Sequence, residues 1–108
     1  MSSFDAIRAW AEARNLIEGS TPAAQMLKLL EEAGELAAAI AKGRPADAKD
    51  GIGDVVVVLT ILSAQLGFPI EDAIAAAYDE IKDRKGRMVD GIFRKEADES
   101  VDTLPAAA

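Results

Sequence analysis

One long segment without a turn signal restricts what this chain can fold into. The sequence from about Ala46 to Leu66 contains no proline and no loop-forming cluster. Strands usually have about 5–6 residues, so an uninterrupted segment of roughly 20 residues is typical of a helix. The valine run Val55–Val58 would also suit a buried strand, but the rest of the chain offers no partner strand. We therefore predict a buried helix with Gly51 and Gly53 as its weakest points.

Glycine and proline divide the remaining sequence into further helical segments. We predict these helices at about Phe4–Arg14, Pro22–Lys42 and Ile70–Lys85. Thr21 is the expected N-cap of the second of them, ahead of a proline at the first helical position. The stretch GRMVDGIFRK suits an extended arm or a short hairpin. The elements together predict an all-α fold, a four-helix bundle over residues 1–95, with an acidic, disordered tail over residues 96–108.

The chain of 108 residues contains neither cysteine nor histidine. Disulfides, thiolate zinc sites and cysteine nucleophiles are therefore excluded, and so are the usual histidine base and histidine metal ligands. Chemistry would have to use carboxylates, Lys, Tyr, Ser or Thr, or a bound ion. A site made only of oxygen ligands favours a hard cation such as Mg²⁺, Mn²⁺ or Ca²⁺.

The formal net charge is -7. This sign is unfavourable for a nucleic acid polymer or an anionic membrane as partner, although a small phosphorylated substrate held through a cation remains compatible. No apolar stretch approaches the length of about 18 residues that a membrane span needs, and the N-terminus lacks a signal-peptide pattern. We therefore expect a soluble protein that works in the cytoplasm.

Acidic residues recur at helical spacing in the second segment, EEAGEL. Lys28, Glu31, Glu32 and Glu35 fall on the side of this helix opposite an apolar arc. The apolar arc consists of Met26, Leu27, Leu30, Ala33, Ala37 and Ala41. Taken alone, the acidic side is typical of a solvated helix face, with Lys28 and Glu32 as an i,i+4 ion pair.

The third helix adds two further acids, Asp50 and Asp54, one turn apart on a face that continues into apolar residues. A carboxylate at such a position has to be paired, protonated or bound to metal. Pairing with a basic residue of the fourth helix is one interpretation. A divalent cation shared with Glu32 and Glu35 is the other, and it would also neutralise the repulsion among the carboxylates. We favour this metal site, which suits hydrolysis of a nucleotide phosphoanhydride.

These motifs resemble a known family. The sequence KLLEEAGELAAAI followed by DGIGDVVVVL is similar to the MazG-like all-α nucleoside triphosphate pyrophosphohydrolases, whose signature is EExxE followed by ExxD. The likeness extends from about Ile7 to Lys95 and includes WAEARNL and YDEIKDRKGRMVDGIF. Short phage-type members are the most similar.

The resemblance implies a helical bundle completed by another subunit, as a homodimer or as a homotetramer built from two dimers. It implies Mg²⁺-dependent conversion of an NTP or dNTP to the monophosphate and pyrophosphate, with Mn²⁺ as a substitute ion. We name a purine nucleotide such as dGTP as one candidate substrate. By position, Glu32, Glu35 and Asp54 would be metal ligands. Glu31 would bind a further ion or orient the attacking water, so that Glu31 and Glu35 are the catalytic candidates. A phage-encoded member would work in the host cytoplasm.

The sequence departs from the family signature at two positions. The glutamate of ExxD falls on Gly51, and we predict that Asp50 replaces it because its spacing from Asp54 keeps both acids on one face. Asp79 stands where many relatives have asparagine, which is unfavourable beside a triphosphate.

Candidate substrate-binding residues are one aromatic residue and four cations. Trp10 is a candidate for stacking on the base, and the cations are candidates for binding phosphates. These cations are Lys28, Lys82, Arg84 and Lys85. The alternatives are that Trp10 belongs to the core and that the cations after the fourth helix balance acids such as Glu80 and Asp83.

Two other classes of function remain open. One is a catalytically silent helical interaction module that retains the family bundle, for which Gly51 is the main argument. The other is a Ca²⁺- or Mg²⁺-binding protein without a nucleotide substrate, although no EF-hand pattern is present.

The second and third helices are apolar over more than the ~100° stripe that one neighbouring layer requires, which also favours an oligomer.

Overall fold

The computed structural model describes residues 1–96, and these form four helices and one hairpin. The elements are α1 (Ser3–Ala13), α2 (Pro22–Ala41), α3 (Pro45–Gln65), α4 (Ile70–Ile81), β1 (Gly86–Val89) and β2 (Ile92–Lys95). The expectation of a mainly helical chain is confirmed, while the oligomer that would complete a bundle stays a prediction. The division into a domain over 1–95 and a tail also stays a prediction, since 97–108 lie outside the described residues.

Local sequence explains where the first two helices begin. The backbone N–H of Asp5 donates to Ser2 Oγ at 3.1 Å, and the Ser2 N–H donates to Asp5 Oδ2 at 3.2 Å, a reciprocal capping box at the start of α1. Thr21 Oγ1 accepts from the Ala24 N–H at 3.1 Å ahead of Pro22, so the predicted N-cap of α2 is confirmed.

The long apolar segment forms the helix α3, which packs against both α1 and α2. The buried apolar side chains include Ala11, Ala39, Val58 and Ile61. Two polar residues of α3 are buried as well and hydrogen-bond to their own helix: Thr60 Oγ1 donates to the Val56 carbonyl at 2.7 Å, and Ser63 Oγ donates to the Leu59 carbonyl at 2.8 Å. Their hydroxyl groups are therefore satisfied without interrupting the helix.

The packing of α3 on α2 depends on Gly51, which is buried. A Cβ atom at this position would lie 3.2 Å from the Cβ of Leu36 on α2. At Gly53, two residues further along α3, the same atom would have no neighbour within 4 Å. The absence of a side chain at Gly51 thus permits the two helices to approach closely.

The structure divides into two compact units, and the first comprises Met1–Ala73. Within this unit a bidentate ion pair joins α1 to the beginning of α4. The guanidinium of Arg8 donates to Glu71 Oε1 at 2.6 Å and to Glu71 Oε2 at 2.8 Å, and it also donates to Asp5 at 2.7 Å. The contact lowers the pKa of the Glu71 carboxyl and that of Asp5.

The second unit begins at Ile74 and contains the rest of α4 and the hairpin. Helix α4 ends at Ile81, four residues before the predicted end at Lys85. Strands β1 and β2 pair antiparallel, with Val89 opposite Ile92, and Asp90 and Gly91 form the turn with φ values of 51° and 79°. The expected short hairpin is therefore confirmed.

No single helix of residues 1–96 is long and apolar enough to cross a membrane. Only α3 and α4 taken together, with the bend between them, satisfy that test by length and composition.

Candidate functional site

Helix α2 buries one residue of its acidic side, Glu32. Glu32 is only 8% exposed, on the side of α2 that also buries Gln25 and Ala39. The opposite side, the apolar arc predicted from the sequence, is exposed, with Leu30 at 64% and Leu27 at 70%. The interpretation of EExxE as an ordinary solvated face is therefore wrong for Glu32, although Glu31 and Glu35 are exposed.

One lysine accompanies the acids of α2. Lys28 Nζ lies 3.2 Å from Glu32 Oε1 and 3.6 Å from Glu31 Oε1, which confirms the predicted i,i+4 pair with Glu32. The contact with Glu32 raises the pKa of Lys28 and keeps it charged. The other oxygen, Glu32 Oε2, is buried and has no hydrogen-bond partner among residues 1–96. This orphaned acceptor requires a cationic or proton-donating partner.

Acids of α3 share the electrostatic field of Glu32. Burial raises the pKa of the half-buried Asp54, and the charges of Asp50 and Glu32 raise it further. The charge of Glu32 is likewise the main cause of the raised pKa of Glu35, followed by burial and by the charge of Glu31. All five predicted acids thus take part in one set of repulsive interactions across α2 and α3.

The predicted cage of five ligands is not present as such. Within residues 1–96, no three or more acidic side chains are arranged as a group that would hold a metal ion. Within the first unit, Asp50 and Asp54 form no ion pair, and pairing with a basic residue of the fourth helix stays a prediction. The chemistry of the donors fits a hard divalent cation: carboxylate oxygens, mutual repulsion and an orphaned Oε2 on Glu32.

Two cavities meet at Asp50, which lines both. The first, of about 290 Å³, is also lined by Glu35, Lys42 and Arg44. The second, of about 680 Å³, is lined by Asp54 and by residues of α1 and α3. Sequence reasoning missed the two cations of the first cavity. The spacing of seven residues between Glu35 and Lys42, two turns along one side of α2, could have indicated Lys42, whereas nothing in the chain pattern indicates where Arg44 lies.

A third cavity, of about 380 Å³, is mainly apolar and adjoins the second. Asp54, Ile7, Val57 and Trp10 line it. The guanidinium of Arg14 lies 4.5 Å from the centre of the Trp10 ring, and the ring is 45% exposed. The interpretation of Trp10 as a core residue is therefore wrong for this chain, and the position suits a stacking contact.

The cations predicted near the end of α4 lie in the second unit. Lys82 Nζ is 2.7 Å from Asp79 Oδ1, and Arg84 is 3.3 Å from Glu80. These pairs support the interpretation that the cations balance neighbouring acids. A role of Lys82, Arg84 and Lys85 in binding phosphates stays a prediction.

Gly51 occupies the position of the family's missing glutamate and faces Leu36 on α2. A glutamate with this backbone would have to start in the contact between the two helices. Asp50 instead lines both cavities and raises the pKa of Asp54. This placement supports the prediction that Asp50 acts as the substitute.

Comparison with known proteins identifies the family. The sequence model of the MazG nucleotide pyrophosphohydrolase domain matches residues 20–89, a range that includes both acidic motifs and the cations near the end of α4. The chain belongs to the MazG nucleotide pyrophosphohydrolase family. The resemblance described from the sequence is thereby confirmed, and with it a family whose members are nucleotide hydrolases and generally use a divalent metal. Trp10 lies outside the matched MazG range.

A curated relative comes from the Haemophilus phage HP1 (strain HP1c1), where it is described as an uncharacterized 18.2 kDa protein in the rep-hol intergenic region. It is 54% identical to this MazG-family chain over 59 residues. The match covers 55% of this chain and 36% of the phage protein, so the chain spans little more than a third of its relative. No solved structure matches.

Proposed function

We propose that this protein is a Mg²⁺-dependent pyrophosphohydrolase that converts a nucleoside or deoxynucleoside triphosphate to the monophosphate and pyrophosphate. The orphaned Oε2 of the buried Glu32 carries the proposal. Its charge contributes to the raised pKa values of Glu35 and Asp54, and the chain belongs to a family of nucleotide pyrophosphohydrolases. A solvated acidic face would leave no such atom buried.

The residues that would hold the ion are Glu32 and Glu35 of α2 and Asp50 and Asp54 of α3, with Glu31 available for a further ion. When bound, Mg²⁺ or Mn²⁺ would neutralise phosphate charge and polarise a phosphoryl oxygen as a Lewis acid. It would also supply the partner that Glu32 Oε2 lacks.

The carboxylates also provide the proton transfer. In the reaction, the oxygen of a water molecule bonds to one of the phosphorus atoms beside the α–β bridge. The bridging bond on that phosphorus breaks, and its electron pair leaves with the bridging oxygen. Glu31 is exposed and contacts Lys28, a position from which it can orient this water. Glu35, whose pKa is raised by Glu32, would accept the proton.

The apolar cavity beside Asp54 suits the base, which would stack on Trp10. Lys28 is close enough to the acids to contact a phosphate as well. Lys82, Arg84 and Lys85 are further candidates for phosphate binding. A purine nucleotide such as dGTP is one candidate substrate, and the host cytoplasm is the expected place of action if a phage encodes the chain.

A homo-oligomer, either a dimer or a dimer of dimers, would cover the exposed apolar arc of α2. The acidic net charge gives no support for a nucleic acid polymer or a membrane as partner. The alternative function is a catalytically silent interaction module, and Gly51 at the position of the family glutamate is the observation that favours it.

Product analysis tests the proposal. The protein is incubated with each common ribo- and deoxyribonucleoside triphosphate, with Mg²⁺ or with EDTA, and the products are separated by anion exchange. We expect monophosphate and pyrophosphate from a subset of nucleotides, with loss of activity in EDTA and in Glu35→Ala. Glu18→Ala, at an exposed position outside the site, is the matched control. Intact triphosphates in every sample would contradict the proposal and favour the silent module.

A further inference from the structure

The connector between α2 and α3 places two cations beside the acidic site. Lys42 and Arg44 flank Gly43, whose φ of 63° turns the chain sharply. The backbone N–H of Lys42 donates to the Ala38 carbonyl at 3.0 Å, and that of Arg44 donates to the Ala39 carbonyl at 2.9 Å. Both backbone positions are therefore fixed by the last turn of α2.

The side chains of these two residues lack a partner in the described part of the chain. Across residues 1–96, neither Lys42 nor Arg44 forms a side-chain hydrogen bond or an ion pair. Among the other cations of this region, Arg8, Lys28, Lys82 and Arg84 are paired with acids, whereas Lys49 and Lys85 form no ion pair either. Among residues 1–96, no ion pair compensates the positive charge of the connector, in a chain whose net charge is -7.

Helix electrostatics account for one of the two cations only. Lys42 follows the last residue of α2, where a positive charge is favourable. Arg44 is the N-cap of α3, where Ser, Thr, Asp or Asn is preferred and a positive charge is unfavourable. Its side chain makes no capping hydrogen bond. A local preference broken without local compensation is typical of a residue kept for binding.

Both cations line the same 290 Å³ cavity as the acids Glu35 and Asp50. One part of this cavity would attract a metal cation and the other would attract phosphate oxygens. The apolar cavity with Trp10 lies on the side of Asp54, and no basic residue lines it. The guanidinium of Arg14, 4.5 Å from the centre of the Trp10 ring, is engaged by that ring and by the Trp10 carbonyl. The residues that line the two cavities therefore favour one orientation of a bound nucleotide, with its base at Trp10 and its phosphates at the connector.

We propose that Lys42 and Arg44 form an anion subsite for the two distal phosphates of the triphosphate, and that this subsite retains pyrophosphate after cleavage. The proposal rests on the proposed function and names where the leaving group is bound. The guanidinium of Arg44 can bind two phosphate oxygens at once, whereas Lys42 contributes a point charge. The monophosphate product makes neither contact, because it lacks the distal phosphates.

Calorimetric titration with inorganic pyrophosphate in Mg²⁺ tests the subsite without requiring turnover. Loss of two charge-assisted contacts in Lys42→Ala/Arg44→Ala is expected to weaken pyrophosphate binding by about tenfold or more. Binding of the monophosphate is expected to remain unchanged. The control is Arg94→Ala/Lys95→Ala, which removes the same charge from hairpin residues that line neither cavity.

Substrate hydrolysis is measured on the same preparations, so that the two proposals can fail separately. Wild-type turnover together with equal pyrophosphate affinity in wild type and Lys42→Ala/Arg44→Ala would overturn the subsite and leave the proposed function standing. An inactive wild type that binds pyrophosphate through Lys42 and Arg44 would overturn the function and leave the subsite. Equal loss of monophosphate binding, or no pyrophosphate binding by the wild type, would overturn the subsite.

Discussion

A single side chain, Glu32, links the folding of this chain to its chemistry. Its Oε1 is held by Lys28, while its buried Oε2 has no partner in the described part of the chain. Its charge contributes to the raised pKa values of both Glu35 and Asp54. The free protein therefore carries an electrostatic cost that a bound cation would remove.

Glu32→Gln is expected to reduce the stabilisation of the protein by Mg²⁺. An ion that binds only the folded state raises its stability by mass action, and near-saturating Mg²⁺ should raise the melting temperature of the wild type by on the order of 10 °C. The variant loses a ligand and should respond much less. Melting curves with Mg²⁺ and with EDTA measure the difference, and Glu18→Gln serves as the control. Equal responses of all three proteins would remove Glu32 from the metal site.

At the scale of elements, α3 is the helix on which the site is assembled. It contributes Asp50 and Asp54, and its close approach to α2 depends on Gly51. Gly53 has open space at the position of its missing side chain. The two glycines of this helix, which the sequence marks as equal weak points, therefore have different roles in packing.

Gly51→Ala and Gly53→Ala are expected to change stability in opposite directions. Alanine in place of glycine within a helix stabilises by roughly 0.5–1 kcal/mol, which applies to Gly53. At Gly51 the added methyl group meets Leu36, and overpacking typically costs about 1–3 kcal/mol. Urea denaturation at one protein concentration compares the midpoints. Stabilisation by both substitutions would show that the α2–α3 contact is not close in solution.

The contact between α1 and the start of α4 depends on pH, because it includes the ion pair of Arg8 with Glu71. The lowered pKa of Glu71 means that the pair stabilises the fold above the ordinary pKa of a glutamate. This contribution is lost as the pH falls through the lowered folded-state value. The lowered pKa of Asp5 acts in the same direction.

Arg8→Met should therefore lower the melting temperature near pH 7, and the difference from wild type should shrink below about pH 4. Lys82→Met, which breaks an exposed pair with Asp79, is the comparison and should have little effect at any pH. If the melting temperature of Arg8→Met stays below that of the wild type by the same amount down to about pH 3, the effect comes from lost packing of the side chain instead.

At the scale of the whole molecule, the sequence predicted where the helices lie better than it predicted which side chains are buried. Thr21 and the proline after it mark the start of α2 by local chemistry alone. The end of α4 at Ile81 was missed because the residues that follow still favour a helix. The burial of Glu32 was not predictable from periodicity, since the pattern places it opposite the apolar arc. That Arg44 lines one cavity with Glu35 and Lys42 follows from the path of the α2–α3 connector, which periodicity does not predict.

The exposed apolar arc leads to a prediction about assembly. We expect light scattering coupled to size-exclusion chromatography to give a dimer or a larger homo-oligomer for the wild type. Leu30→Glu places a charge in the middle of the arc, where the wild-type side chain is 64% exposed, and should shift the protein towards the monomer. Ser3→Glu adds the same charge in the first turn of α1 and should leave the assembly intact. A monomeric wild type would contradict the expected oligomer.

The exposed apolar arc of α2, which includes Leu27 and Leu30, also affects biosynthesis. A newly made chain exposes this apolar arc until another copy covers it. The exposed arc will bind chaperones or neighbouring unfolded chains in competition with correct assembly. Slow synthesis at low temperature should therefore yield more usable protein than rapid overproduction.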